Sequence, residues 1–223
     1  MRMKTTATLV LAAFLLSAGA AFAAPQYNPD EKTKQTLQQG IDAYKAKDFD
    51  KARKLIKPLA DKNDAMATFF MGMFAARGEG QKQNFQDAEN WWKKASASGN
   101  PLAQFNLGML YFTGALGKPD MKKARDLWTQ SAAAGNPNAM FALGLMMKNG
   151  EGGNKDMAGA IKNFEAAATI GHPQAEFELG QAYMEGNGVK KDLKKAKDWF
   201  GKAAAKGMPE AKLALDALNA AGK

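Results

Sequence analysis

His172 is the only histidine in the chain, and cysteine is absent. The side chains that most often carry nucleophilic, acid–base or metal chemistry are therefore nearly missing. A lone imidazole can move a proton or ligate a metal, but a metal site needs further ligands, and the sequence places none beside it. His172 stands between Gly171 and Pro173, where neighbouring repeats carry Asn100, Asn136 and Met208, so a helix-capping role is expected. Glu79, Glu151 and Glu185 recur beside glycines, yet no close carboxylate pair can be argued from their spacing. The segments Gly78-x-Gly80, Gly150-x-Gly152-Gly153 and Gly186-x-Gly188 follow helical stretches. Phosphate-cradling glycines follow a strand, so these are read as hairpin turns. No catalytic, cofactor-binding or metal-ligating residue is assigned, and the chain is expected not to be an enzyme.

The elements that hold these residues repeat every 36 positions. Ala67, Ala103, Ala139 and Ala175 share one phase, continued by Ala211. Gly72, Gly108, Gly144 and Gly180 share a second, and Gly78, Gly114, Gly150 and Gly186 a third. A fixed period of this length marks a solenoid, in which each unit buries its apolar face against its neighbours. Within residues 103–138, Asn100-Pro101 reads as a helix start, asparagine capping free amides and proline suiting the first turn. The run from Ala103 to Phe112 is then apolar on nearly every side, and Gly114 ends it. Asp120, in phase with Asn84, Asp156 and Asp192, caps a second helix on which Ala124, Leu127, Trp128 and Ser131 form one stripe. The repeat is a helical hairpin. Gly108, Ala103 and Ala124 let its backbones approach, and Trp92, Trp128, Phe164 and Phe200 are expected to fill the space between hairpins.

This pattern resembles the Sel-one-like repeat, a relative of the tetratricopeptide repeat. The resemblance rests on Ala103-x-x-x-Leu107-Gly108-x-x-Tyr111-x-x-Gly114 with Lys123-Ala124-x-x-x-Trp128, Ser131 and Gly135, and on the matching run from Ala175 to Phe200. Met71, Ala75, Met147 and Gly159 depart from it mildly. The fold it implies is all-α, a right-handed α-solenoid of helical hairpins closed by a C-terminal capping helix. Four units are assigned to residues 67–102, 103–138, 139–174 and 175–210, with a capping helix over 211–223. A shorter tetratricopeptide-like unit over 31–66 precedes them, four residues having been lost from its hairpin loop. One continuous superhelix is expected, with residues 24–30 as an N-terminal extension.

Residues 1–23 are read as a cleaved signal peptide. Arg2 and Lys4 precede the apolar run Leu9 to Leu16, and Ala21-Phe22-Ala23 supplies a small-x-small cleavage pattern. No transmembrane segment is expected after cleavage. Export without cysteine suits a bacterial periplasm or the medium beyond it. Setting Arg2 and Lys4 aside leaves 29 basic and 22 acidic side chains, a net charge of +7. That balance favours acidic partners or an anionic envelope surface, without choosing between them.

What remains is recognition. In families of this kind the first helix of each hairpin lines a concave face, and position carries that role to Met73, Met109, Phe112, Leu145, Lys148, Gln181 and Met184. The in-phase Phe69, Phe105, Phe141 and Phe177 are placed on the same side. A methionine-rich apolar strip can accept a peptide or an amphipathic helix. The densest charge run supplies a basic patch of Lys190, Lys191, Lys194, Lys195 and Lys197. No aromatic residue interleaves it, and nucleic acid is not an expected partner. The resemblance implies an interaction scaffold that regulates or assembles envelope proteins in signalling, secretion or exopolysaccharide control; the sequence does not fix the oligomeric state, and a monomer is favoured. The alternative is a module that binds peptidoglycan or polysaccharide, with or without hydrolase activity. The cysteine-bridged repeats typical of that class are absent here.

Overall fold

The computed structural model describes residues 29–221, so the signal-peptide reading of residues 1–23 lies outside the described residues. Among those described, eleven helices occur and no strand. They are α1 (Glu31–Lys45), α2 (Phe49–Ala60), α3 (Ala65–Arg77), α4 (Phe85–Ala97), α5 (Pro101–Thr113), α6 (Met121–Ala133), α7 (Pro137–Asn149), α8 (Met157–Thr169), α9 (Pro173–Glu185), α10 (Leu193–Ala205) and α11 (Pro209–Ala221). The chain divides into two compact units, one up to residue 134 and one from residue 135.

Helix starts follow from side chains that take up free backbone amides. Asp30 accepts from the Thr33 amide at 2.8 Å, which opens α1. Asn100 accepts from the amides of Leu102 and Ala103, each at 3.0 Å. Asp120 does the same for Lys123 at 3.0 Å. At the other end of α5, Gly114 adopts φ 68°, which glycine reaches without the penalty a Cβ imposes. Seven residues separate α5 from α6, whereas only three separate α1 from α2. That is the four-residue shortening expected for the first hairpin.

In the first unit the hairpins are α1–α2, α3–α4 and α5–α6. A methyl group at Gly108 would overlap the indole of Trp128, and one at Gly72 would overlap Trp92. Each indole donates its Nε1–H back across its hairpin, Trp128 to the Phe105 oxygen at 3.0 Å and Trp92 to the Phe69 oxygen at 3.1 Å. Ser131 adds a buried bond, donating to the Pro101 oxygen at 2.6 Å. The tryptophans therefore sit inside their own hairpins. Trp92 also shares a cluster with Ala103, Leu107 and Leu110 of the next one.

The second unit repeats the scheme with phenylalanine. Phe164 lies against Gly144 and Phe200 against Gly180. Helix α11 packs on α10 through Ala211, with Ala214, Leu215 and Leu218 against the Phe200 cluster. Leu213, which holds the phase of the buried Phe69 and Phe105, is 70% exposed.

Candidate interaction surfaces

The first helices do not present all the expected residues to solvent. Met73 and Met109 are buried, as are Phe69, Phe105 and Phe141. Met73 is enclosed because the next hairpin closes over its side of α3: it shares a core cluster with Ala103, Leu107 and Leu110 of α5. Phe112 is half-buried and its ring centroid lies 5.2 Å from that of Trp128. Its helix turns it toward its own hairpin partner. These residues belong to packing, which corrects the expectation that they line an open strip.

The variable residues of the second unit behave differently. Leu145, Lys148, Gln181 and Met184 are all half-exposed on α7 and α9. Lys148 Nζ lies 2.7 Å from Glu178 Oε2, so the first helices of consecutive hairpins are joined across this face. Phe177, half-exposed, packs its ring at a tilt against Phe200, 5.5 Å between centroids. Sequence reasoning passed over Glu178; the sign available was a break in phase, since its counterparts Phe70, Asn106 and Ala142 are uncharged.

The basic run opens α10. Lys190, Lys191, Lys194 and Lys195 are exposed and Lys197 is half-exposed. Asp192 caps the helix by accepting from the Lys195 amide at 3.0 Å. Lys195 Nζ stands 5.0 Å above the Tyr183 ring. The turn before these lysines is seated on α8, since a methyl group at Gly188 would strike Met157 and Ile161.

His172 takes the capping place its position implied. Its Nδ1 accepts from the Ala175 amide at 3.3 Å, and its ring stacks on Phe141 at 4.8 Å. Burial, joined by the nearby Lys206 ammonium, pushes its pKa down to about 4. Lys206 donates to the Gly171 oxygen at 2.9 Å and pairs with the buried Glu176. The three turn glutamates belong to separate hairpins; Glu79 meets Arg77 at 3.4 Å, and Glu185 is exposed. Among the described residues no group of three or more His, Cys, Asp or Glu is arranged to hold a metal ion.

One polar network escaped sequence reasoning. Tyr111 donates to Glu89 Oε1 at 2.6 Å, and Lys93 lies 2.7 Å from the same carboxyl. Burial raises the Glu89 pKa, but the bonds from Lys93, Tyr111 and Gln86 outweigh it and hold the group below its ordinary value. The Tyr111 phenol is pushed up to about 12 by burial and by Glu89. The available sign was a break in phase: Glu89 corresponds to Arg125, Ile161 and Lys197 in later hairpins. Trp91 and Trp199, also in phase with each other, are half-exposed, with Lys94 Nζ 4.8 Å and Lys202 Nζ 3.8 Å from their rings.

No helix among the described residues is long and apolar enough to cross a membrane. No curated protein matches the chain by sequence. Among solved structures, a protective antigen of uropathogenic Escherichia coli displaying an SLR fold is similar at 27% identity and a TM-score of 0.77, covering 84% of this chain and 43% of that one. The chain thus spans less than half the length of the antigen. A Sel1 repeat protein from Oxalobacter formigenes is similar at 30% identity and a TM-score of 0.76, over 81% of this chain and 72% of that one. An immunity protein of Pseudomonas aeruginosa, Pa5087, shares the fold at 18% identity and a TM-score of 0.56, over 82% of this chain and 70% of that one. The Sel1 repeat itself matches five consecutive segments, residues 36–64, 65–100, 101–136, 137–172 and 173–208. With these five repeats matched, and with a large ring set against a glycine in each of the four long hairpins, the chain belongs to the Sel1 repeat family.

Proposed function

We propose that the chain is an exported scaffold for protein–protein recognition that regulates or assembles envelope proteins in the periplasm. The observation that carries this reading is the half-exposed row of Leu145, Lys148, Gln181 and Met184 on α7 and α9, crossed by the Lys148–Glu178 pair. Its residues vary from repeat to repeat while the alanines, glycines and large rings beneath them keep phase. Packing holds the framework, and the half-exposed positions that vary over it carry the specificity, although Met184 also rests in part against the Phe200 cluster. Membership of the Sel1 repeat family supports a recognition role.

The partner segment is acidic or amphipathic. Apolar Leu145 and adaptable Met184 receive its nonpolar side chains. The protein's net positive charge steers acidic partners to it, at a rate that falls as salt shortens the Debye length. Export rests on the Arg2/Lys4, Leu9–Leu16 and Ala21-Phe22-Ala23 pattern. Sugar stacking on Trp91 or Trp199 is the weaker reading, because a lysine already stands over each ring.

A photo-reactive amino acid at Gln181 tests the assignment. Irradiation of envelope extract is expected to yield a defined protein adduct from that position and none from the same group at exposed Asp216 on α11. Equal labelling from both positions would remove the basis for a specific face.

A further inference from the structure

We propose that the turn and first helical residues of α10, residues 189–197, form a docking patch for the headgroup surface of an anionic lipid bilayer. The run contains five lysines and one aspartate. That aspartate, Asp192, is engaged as the cap of α10. None of the five lysines is in an ion pair among the described residues, in contrast to Lys122 and Lys123 at the start of α6, which pair with Asp126 and Asp120 at 2.8 and 3.0 Å. The acidic side chains on the same two helices are Glu176, Glu178 and Glu185 on α9 and Asp198 on α10; Glu176 and Glu178 pair with Lys206 and Lys148, and Glu185 and Asp198 are exposed.

The feature that selects a bilayer is Leu193. It is 46% exposed in the middle of the lysines, one of three large hydrophobic side chains so exposed among the described residues, with half-exposed Val189 before it. A polysaccharide or a free anion gains nothing from an exposed leucine. A lipid surface accepts it just below the headgroups while lysine stems reach up beside it and place their ammonium groups among the phosphates. The seating of Gly188 on Met157 and Ile161 of α8 holds the turn in place, so the lysines are presented on a fixed support.

Co-sedimentation tests this with the full chain and with the chain starting at Ala24, using vesicles of phosphatidylcholine with and without phosphatidylglycerol. The excess binding to anionic vesicles is the quantity read. Each lysine at such a surface strengthens partitioning roughly fivefold, so Lys190→Gln/Lys191→Gln/Lys194→Gln is expected to cut the excess on the order of a hundredfold. Leu193→Ser is expected to weaken it several-fold at unchanged charge. The paired lysines provide the control, and Lys122→Gln/Lys123→Gln is expected to leave it unchanged. All these side chains are exposed, and equal thermal melts confirm that each variant is folded. The proposal is overturned if anionic vesicles show no excess, or if the three-lysine variant keeps it. It is likewise overturned if Leu193→Ser binds unchanged while soluble alginate competes fully, because the patch is then a site for acidic polymers.

Discussion

Trp128 donates its indole N–H to the Phe105 main-chain oxygen at 3.0 Å while its ring occupies the space that a side chain on Gly108 would fill. The two contacts lock the helices of one hairpin at a single distance. Gly72 with Trp92 repeats the arrangement, and Gly144 with Phe164 and Gly180 with Phe200 keep its steric half.

Gly108→Ala therefore overfills a close-packed seam. A loss of about 1–3 kcal/mol is expected, read as a lower midpoint in urea. Trp128→Ala opens a cavity in the same place and is expected to cost about 3–5 kcal/mol. An alanine at Gly108 that stabilises the protein, as a helix former on an open face does, would mean the indole can move aside.

Charges placed on the first helices separate packing from recognition. Met109→Glu/Phe112→Glu is expected to unfold its hairpin, because Met109 is buried and Phe112 rests on Trp128. Leu145→Glu/Met184→Glu, at half-exposed positions, is expected to keep native helicity and to melt below the parent only by the lost contact of Met184 with the Phe200 cluster. Circular dichroism melts of the two variants distinguish these outcomes.

His172 makes stability depend on pH with a definite sign. Its folded pKa is about 4, below the value of 6.5 for the free side chain. The unfolded chain therefore binds a proton that the native chain refuses, and stability falls as pH drops from about 6.5 toward 4. The loss is on the order of 2–3 kcal/mol. Asparagine serves at the corresponding cap in the two preceding hairpins, so His172→Asn is expected to keep the helix start and flatten the slope between pH 6.5 and 5. An unchanged slope in that variant would assign the effect to other groups.

The Lys148–Glu178 pair is partly solvated, with 32% and 17% of the two side chains exposed. Exposed pairs contribute about 0.2–1 kcal/mol. Lys148→Ala is thus expected to change stability by about that much and partner affinity by more, since it lies on the proposed face. Melting and binding measured on the same variant check the contrast.

Much of the fold was legible because repetition makes packing residues visible. Gly108, Ala103, Ala124 and Trp128 recur in phase, and each recurrence reports the same steric constraint. Caps such as Asn100 and Asp120 were legible for the same reason, and so was His172. Exposure was less so. Met109 and Leu145 hold the same phase and look interchangeable, yet one is buried and the other half-exposed, since burial depends on which neighbour covers the helix. Pairs with no counterpart in other repeats, Tyr111 with Glu89 and Lys148 with Glu178, were invisible to a search for recurrence.

The central claim is that the half-exposed face of α7 and α9 holds a protein partner, and affinity capture from envelope extract with parent and variant proteins tests it most directly. The account predicts that the parent retains a defined protein, that Leu145→Glu/Met184→Glu loses it while folded, and that Lys190→Gln/Lys191→Gln/Lys194→Gln still holds it at moderate salt. A folded Leu145→Glu/Met184→Glu variant that captures the same protein with undiminished affinity would contradict it.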